Sequence, residues 1–461
     1  MYTFSSKLKL TAIILIIVGA VGLIYGFISV PSNQEELKEI LAAEAHGSHD
    51  ESHEDAAVMQ SENHEADSHE AIQHSEVSHE SNSEHPESVH SEEGHHESHM
   101  EHVLHQFQTK PWSALFVSAF FFFMIALGAM VFYAIQNVAQ AGWSPVLFRV
   151  IEGITAYLLP GSIIVVLIVL LAGTHFYPWQ NHELVAEDKI LQAKSGYLNF
   201  PFFLIRAIIY LIGWNVYRFF MRKTSLDQDS DTGIGSYRKL YKGSIVFLVF
   251  FVLTEAMMGW DWFMSMTPHW YSTLFSWYIF ASLFVSAITV ISLVTIFLKK
   301  LGHLEFVNDS HLHDLSKFMF AFSIFWTYLW FSQFLLIWYA NIPEEAAYFV
   351  MRIGEYKLLF FGMLLLNFIF PILMLINSDY KRIPWFVVMA GVMILVGHYV
   401  DIFLLVMPST VGPHWSFGIT EICSILFFLG LFIFFVGTGL AKAPLHPKGN
   451  PFLKESENYH Y

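Results

Sequence analysis

The sequence predicts an all-α integral membrane protein of about ten transmembrane helices, and three observations predict it. Of its 461 residues, 54% are hydrophobic and only 14% are charged, against about a quarter charged in an ordinary soluble domain. The apolar residues arrive in blocks of about 20, the length a helix needs to cross about 30 Å of hydrocarbon. The Lys and Arg between blocks gather at alternate ends, as the positive-inside rule requires of cytoplasmic loops.

The first block runs from Leu10 to Val30, behind Lys7 and Lys9. A signal peptide begins similarly. This run is long for one, however, and no small-x-small site follows it directly, so residues 1–30 are read as a retained N-terminal transmembrane helix. Residues 31–110 form an acidic, His-rich insert. Nearly all of the formal net charge of −16 comes from Glu35 to Glu101, where Lys38 is the single basic residue other than His. Its units repeat loosely, as in Ser52-His53-Glu54, Ser68-His69-Glu70 and Ser78-His79-Glu80. With few large apolar side chains it cannot bury a core, and it is expected to be disordered. Its imidazoles, among them His49, His53, His69, His79, His95, His96 and His99, suit weak surface binding of copper, zinc or nickel. A solvated tether is the plainer reading and the preferred one.

Nine further apolar runs follow: 112–136, 146–177, 200–221, 241–265, 270–298, 315–340, 354–377, 384–407 and 416–440. They divide the rest of the chain into a first four-helix bundle (111–266), a second (267–408), and a last transmembrane helix with its tail (409–461). One set of ends carries Lys7 and Lys9, Arg149, Arg218, Arg222, Lys223, Arg238, Lys239, Lys242, Lys299, Lys300, Lys381, Arg382, Lys442 and Lys448. All fall on one side in a ten-helix topology, which places both termini in the cytoplasm and residues 31–110 outside it. The opposite loops are rich in Trp, Pro and Tyr, as an interfacial aromatic belt should be.

The two bundles read as a duplication. Asp261 to Pro268 is DWFMSMTP and Asp401 to Pro408 is DIFLLVMP, both Asp-x-Phe-x-x-x-x-Pro. His269-Trp270 follows the first and His414-Trp415 follows the second. Asn199-Phe200-Pro201 is matched by Asn341-Ile342-Pro343, and Arg206 and Arg352 come soon after each. Four crossings return the chain to its starting side, so the repeats share one topology, related by an axis along the membrane normal.

Charged groups inside apolar runs are costly and raise a functional hypothesis by default. Glu255 lies near mid-membrane, with Asp261 about two turns closer to the outside. His398 and Asp401 stand at i and i+3 on one helix face. Glu421, Arg206 and His175 also fall toward the outside. Such carboxylates and imidazoles suit a proton relay or the acceptance of protons from a bound quinol; structural pairing is the competing reading. Arg149 and Glu152, on the cytoplasmic side, read as a local ion pair.

Cys423 is the only cysteine, which excludes an intrachain disulfide, a cysteine-ligated iron–sulfur cluster and a C-x-x-C-H haem attachment. His398 is the only His well inside an apolar run, so no matched pair for haem b is expected. No basic surface suggests nucleic acid.

Two segments carry a family resemblance: EAMMGWDWFMSMTPHWYSTLFSWYIFA, from Glu255 to Ala281, and KFMFAFSIFWTYLWFSQFLLIWYANIPEE, from Lys317 to Glu345. Both resemble the second large quinone-binding-type (ActF-type) membrane subunit of bacterial alternative complex III, a quinol:cytochrome c oxidoreductase related to polysulfide-reductase (NrfD-like) membrane anchors. The resemblance extends from about Trp112 to Leu440 and leaves out the His-rich insert. It implies two four-helix bundles flanked by two helices, in the bacterial inner membrane. It also implies a homologous ten-helix subunit, an iron–sulfur protein, multihaem and monohaem cytochromes c and a terminal cytochrome oxidase as partners. Haems and iron–sulfur clusters would sit in those partners, with none intrinsic to this chain. In that family the better-supported site for menaquinol or ubiquinol belongs to the homologous subunit, so the role implied here is assembly with proton conduction, in a non-redox subunit. A secondary transporter is the alternative from another class, since duplicated bundles with buried charges describe transporters too; Pro160-Gly161 interrupts the third run, but no clear paired interruption is visible.

Overall fold

The computed structural model describes residues 2–42, 89–231 and 233–460, with side chains for all of these except 89–98. Ten helices among the described residues are long and apolar enough to cross a membrane, and no strand occurs among them. The protein is an all-α, multi-pass integral membrane protein. The spans are α1 (Ser6–Ile28), α2 (His99–Val138), α3 (Pro145–Phe176), α4 (Phe200–Gln228), α5 (Gly235–Met266), α6 (Phe275–Lys300), α7 (Asp309–Ala340), α8 (Lys357–Leu375), α9 (Pro384–Thr410) and α10 (Ile419–Ala441).

The chain forms two compact units. The larger comprises Met1–Ile28 and Thr109–Tyr461, and the smaller Ser29–Gln108. In the larger unit α2 and α6 are the most enclosed spans, with 94% and 78% of their apolar stretches buried. They are the inner helices of that unit. They cross at near backbone contact: a Cβ on Gly128 would meet the Leu283 carbonyl oxygen at 2.6 Å and the Ala287 Cβ at 2.7 Å. Such small-residue crossings are how helices pack where lipid offers no hydrophobic drive. The outer helices leave Ile163, Leu167 and Leu171 on α3, Ile209, Ile212 and Val216 on α4, and Leu358 and Leu373 on α8 exposed. Hydrocarbon is the solvent that accepts such surfaces.

α1 packs along α10 through glycines. A Cβ at Gly19 would lie 2.5 Å from the Phe427 backbone nitrogen, and one at Gly430 would lie 2.7 Å from the Ala12 carbonyl oxygen. The other face of α1 exposes Ile13, Ile17, Val21 and Ile24.

Local signals set the helix ends. Asn199 caps α4 by accepting from the Phe202 N–H at 3.0 Å, and Asn308 caps α7 in a capping box with His311. α7 stops at Asn341 in the left-handed region, φ 49°. α8 contains a π-helical turn, Leu365–Ile369. Pro371 has no N–H to donate to the carbonyl of Asn367, four residues back, which loosens the ladder there.

The basic end is tied by the C-terminal tail. Ser456, fully buried, donates to the Trp143 carbonyl at 2.6 Å, and its own carbonyl lies 3.0 Å from His311 Nε2. Asn308 donates to the Tyr459 carbonyl at 2.6 Å, and the Tyr459 hydroxyl donates to Asp314 at 2.7 Å. The tail thus joins the α2–α3 and α6–α7 loops.

The flanks of the insert differ from the expectation of disorder. Residues 34–42 are helical, and a helix runs over Val89–Val138. Leu37, Met100 and Val103 form a small buried cluster within the smaller unit, supported by Leu41, Leu104 and Phe107. The helical spacing of Met100, Val103, Leu104 and Phe107 was hidden by the surrounding His and Glu. Residues 43–88, which hold His49, His53, His69 and His79, lie outside the described residues, as do the side chains of His95 and His96. His99 is exposed.

Candidate functional site

The repeat brings an arginine and an aspartate to the aromatic end of each bundle, and the two pairs differ. In the first bundle Arg206 enters from the first turns of α4 and Asp261 from the last turns of α5. Arg206 Nε and Nη2 donate to the two Asp261 oxygens, each at 2.8 Å. The Tyr210 hydroxyl adds a bond at 2.9 Å. The guanidinium stacks 3.9 Å from the Tyr197 ring centre and donates to the Tyr197 carbonyl at 3.1 Å. This is a closed, bidentate pair.

The loop above it is latched as well. His269 meets Asp188 at 2.5 Å, and Lys194 donates to the Pro268 carbonyl. Desolvation pushes Asp188 up, but the backbone N–H groups of Leu191 and Ile190, together with the His269 ring, outweigh it and hold the carboxylate below its usual range.

In the second bundle Arg352 and Asp401 do not pair. Asp401 accepts from Ser282 Oγ at 2.9 Å, from Trp326 Nε1 at 3.0 Å and from the Tyr278 hydroxyl. His398 Nδ1 lies 3.3 Å from Asp401 and 2.9 Å from Ser282 Oγ. Arg352, on the helix Pro343–Gly354, stacks 3.4 Å from the Tyr348 ring centre. It donates to the carbonyls of Leu404 at 3.0 Å and Tyr348 at 2.8 Å. Its Nη2 has no hydrogen-bond partner among the described residues. A narrow cavity is lined by both Arg352 and Asp401, with Tyr278, Gln333 and Tyr348; about 20 Å³ of it admits the centre of a water molecule. That is room for about one water.

The unpartnered atoms continue inward. His398 Nε2 has no partner among the described residues, nor has either polar side-chain atom of Asn367. Asn367 sits on the π turn of α8, against Gly397: a Cβ there would meet Asn367 Oδ1 at 2.1 Å. Buried polar atoms left without protein partners mark places where water completes the bonding.

The other sequence-predicted residues separate from this cluster. Glu421, 1% exposed, uses Oε2 to accept the Gly418 N–H at 2.8 Å, a helix-capping role at the start of α10. His175 Nδ1 lies 3.4 Å from Thr109 Oγ1, and its ring stacks on Trp112. Glu255 is buried but belongs to a different, apolar groove. Arg149 and Glu152 form an ion pair at 3.0 Å; Asp229, Arg222 and Ser225 extend it into a network between α3 and α4. No group of three or more potential metal ligands occurs among the described residues.

Sequence reasoning did not single out Tyr278, Ser282, Trp326, Tyr348 or Asn367. A signal existed for Ser282: hydroxyl residues recur along α6 at Ser282, Ser286, Thr289, Ser292 and Thr295, all fully buried. No protein-family model matches this sequence, and comparison with curated proteins gives no match.

Proposed function

We propose that this chain is the ActF-type, non-redox membrane subunit of a bacterial quinol:cytochrome c oxidoreductase. In this reading it lies in the cytoplasmic membrane with both termini inside. It assembles beside a homologous ten-helix subunit, an iron–sulfur protein and cytochromes c, and its second bundle conducts protons to the outer face. The family assignment rests on the two quoted segments and the duplicated bundles. The proton role is carried by one observation: the Arg206–Asp261 pair is closed, whereas Arg352 and Asp401 line a water-sized cavity with His398 behind it.

The chemistry follows from the residues. Asp401 and His398, at i and i+3 on α9, are both proton acceptors. Ser282 Oγ touches both and can shuttle a proton between them. Arg352 lines the same cavity as Asp401 and sets a second charged group beside the path. A cavity this narrow favours a proton path over a bound quinol ring at Asp401.

The test is made in the intact complex, with Asp401→Asn and His398→Phe compared with the parent protein for assembly, quinol oxidation and proton release. A reduced proton yield per electron with quinol oxidation intact supports the relay. Normal assembly with unchanged oxidation and proton release would leave the chain a scaffold. Reduced turnover with a raised apparent KM would assign quinol to this cluster instead.

A further inference from the structure

A groove of about 460 Å³ lies between α4 and α5, and no step of the proton path uses it. Two glycines bring its walls together: the Phe250 ring of α5 packs on Gly213, and the Phe220 ring of α4 packs on Gly243. Its floor is the buried pair Tyr217 and Phe247, stacked at 3.9 Å with 5° between the rings. The Tyr217 hydroxyl is already bonded to Ser244 Oγ at 2.8 Å, so the floor offers no unpaired polar atom. Val216 and Val246, also on the lining, are 61% and 70% exposed on the apolar outer surface. The groove therefore opens sideways toward the hydrocarbon.

At the end nearest the start of α5 the lining changes to Lys239 and Lys242, spaced i and i+3. Neither forms an ion pair with a carboxylate among the described residues. Asp231, the acidic group just before α5, is turned back onto the Gly233 and Ser236 N–H groups, each at 3.0 Å. From Lys239 to Phe250 the helix rises about 16 Å, close to one leaflet's share of a hydrocarbon core about 30 Å thick. We infer that the groove holds one molecule of an acidic phospholipid. Its phosphate lies between Lys239 and Lys242, and one acyl chain runs over the Tyr217–Phe247 floor between Phe220 and Phe250. Three features fix this chemistry. The free polar groups at the groove's end are two ammonium donors, which take an anion. The rest of the lining hydrogen-bonds nothing, which suits a hydrocarbon chain. The charged end and the apolar length are in the order in which a lipid's own head and tail lie, and basic pockets between membrane helices hold acidic head groups for this reason. The inference rests on neither the family reading nor the proton path.

The full chain in phosphatidylcholine nanodiscs is photolabelled with trace phosphatidylglycerol carrying a diazirine in one acyl chain. Label is expected on peptides from 213–220 and 243–250, and unlabelled phosphatidylglycerol should displace it. A phosphatidylcholine probe with the same chain should label these peptides about tenfold less. Lys239→Gln with Lys242→Gln should lower phosphatidylglycerol labelling by a similar factor, since one lysine beside an anionic head group is worth about fivefold. Lys239→Arg with Lys242→Arg should keep it. Val246→Trp, which fills the mouth of the groove and leaves both lysines, should lower labelling as well. Equal labelling by the phosphatidylcholine probe, or label spread evenly over the outer helices, would overturn the proposal. So would displacement by inorganic phosphate, which would make the lysine pair a site for the free anion, or unchanged labelling in the double Gln variant or in Val246→Trp. If a variant does not fold, the comparison of the two probes on the unaltered protein decides.

Discussion

Arg206, on α4, and Arg352, on the short helix Pro343–Gly354, each follow an Asn-x-Pro, yet only Arg206 bonds to an aspartate. Asp261→Asn would leave the Arg206 guanidinium buried without a counter-charge, a loss of about 3–5 kcal/mol. Asp401→Asn breaks no ion pair with arginine; it turns an amide toward donors such as Ser282 and Trp326, a loss of about 1–3 kcal/mol. Thermal unfolding in one detergent should therefore rank Asp261→Asn as the less stable variant, and equal losses would contradict the division of roles. The depth of both aspartates was legible in the sequence, because position along a helix follows from residue count. Their partners were not. Azimuth and the approach of a neighbouring helix depend on packing, so Glu421 and His175 looked equivalent to Asp401 until their neighbours were seen. Gly397 is a further residue-scale test. Gly397→Ala should destabilise by about 1–3 kcal/mol, because the new Cβ would meet Asn367 Oδ1 at 2.1 Å. Asn367→Ala in the same chain should recover part of that loss in the same unfolding assay.

The helices themselves were legible because a 20-residue apolar run has one stable solution in hydrocarbon. Their ends were less so, since α2 continues well beyond its apolar run. α1 is the element most open to test. Gly19 and Gly430 let it approach the backbone of α10, and a leucine at Gly19 has no space: the nearest atom to its Cβ is the Phe427 nitrogen at 2.5 Å. With a protease site placed in residues 43–88, the cleaved α1 fragment should co-purify with the remainder of the parent chain. It should be lost from Gly19→Leu; retention in both would show that glycine packing does not hold α1. The insert gives the opposite expectation. Deleting residues 46–88 spares the Leu37–Met100–Val103 cluster, so assembly should stay within about twofold of the parent, as for a solvated tether. Loss of assembly would make that segment a docking element.

At the scale of the whole molecule, Tyr2 packs on His303 while the tail at Ser456 and Tyr459 joins the α2–α3 and α6–α7 loops. Both ends of the chain therefore lie at the basic end. The repeated Asp-x-Phe-x-x-x-x-Pro was legible in the sequence, but the different surroundings of Asp261 and Asp401 were not. Near Asp261, Asp188 meets His269 and Lys194 donates to the Pro268 carbonyl, whereas α8 carries a π turn at Asn367. Neither leaves a periodic trace in sequence. Because the basic end is read as cytoplasmic, a cysteine at Ser91→Cys should react with a membrane-impermeant maleimide only from the outside; reaction only from the cytoplasmic side would invert the topology. The central claim is that this chain is a redox-silent member of a redox assembly. Its most direct test is the reduced-minus-oxidised spectrum of the native chain purified with its neighbours, followed by that of the chain released from them. The account predicts c-type haem bands in the assembly and no Soret band in the separated chain. Stoichiometric haem in the separated chain, or a native chain that purifies with no haem-bearing partner, would contradict it.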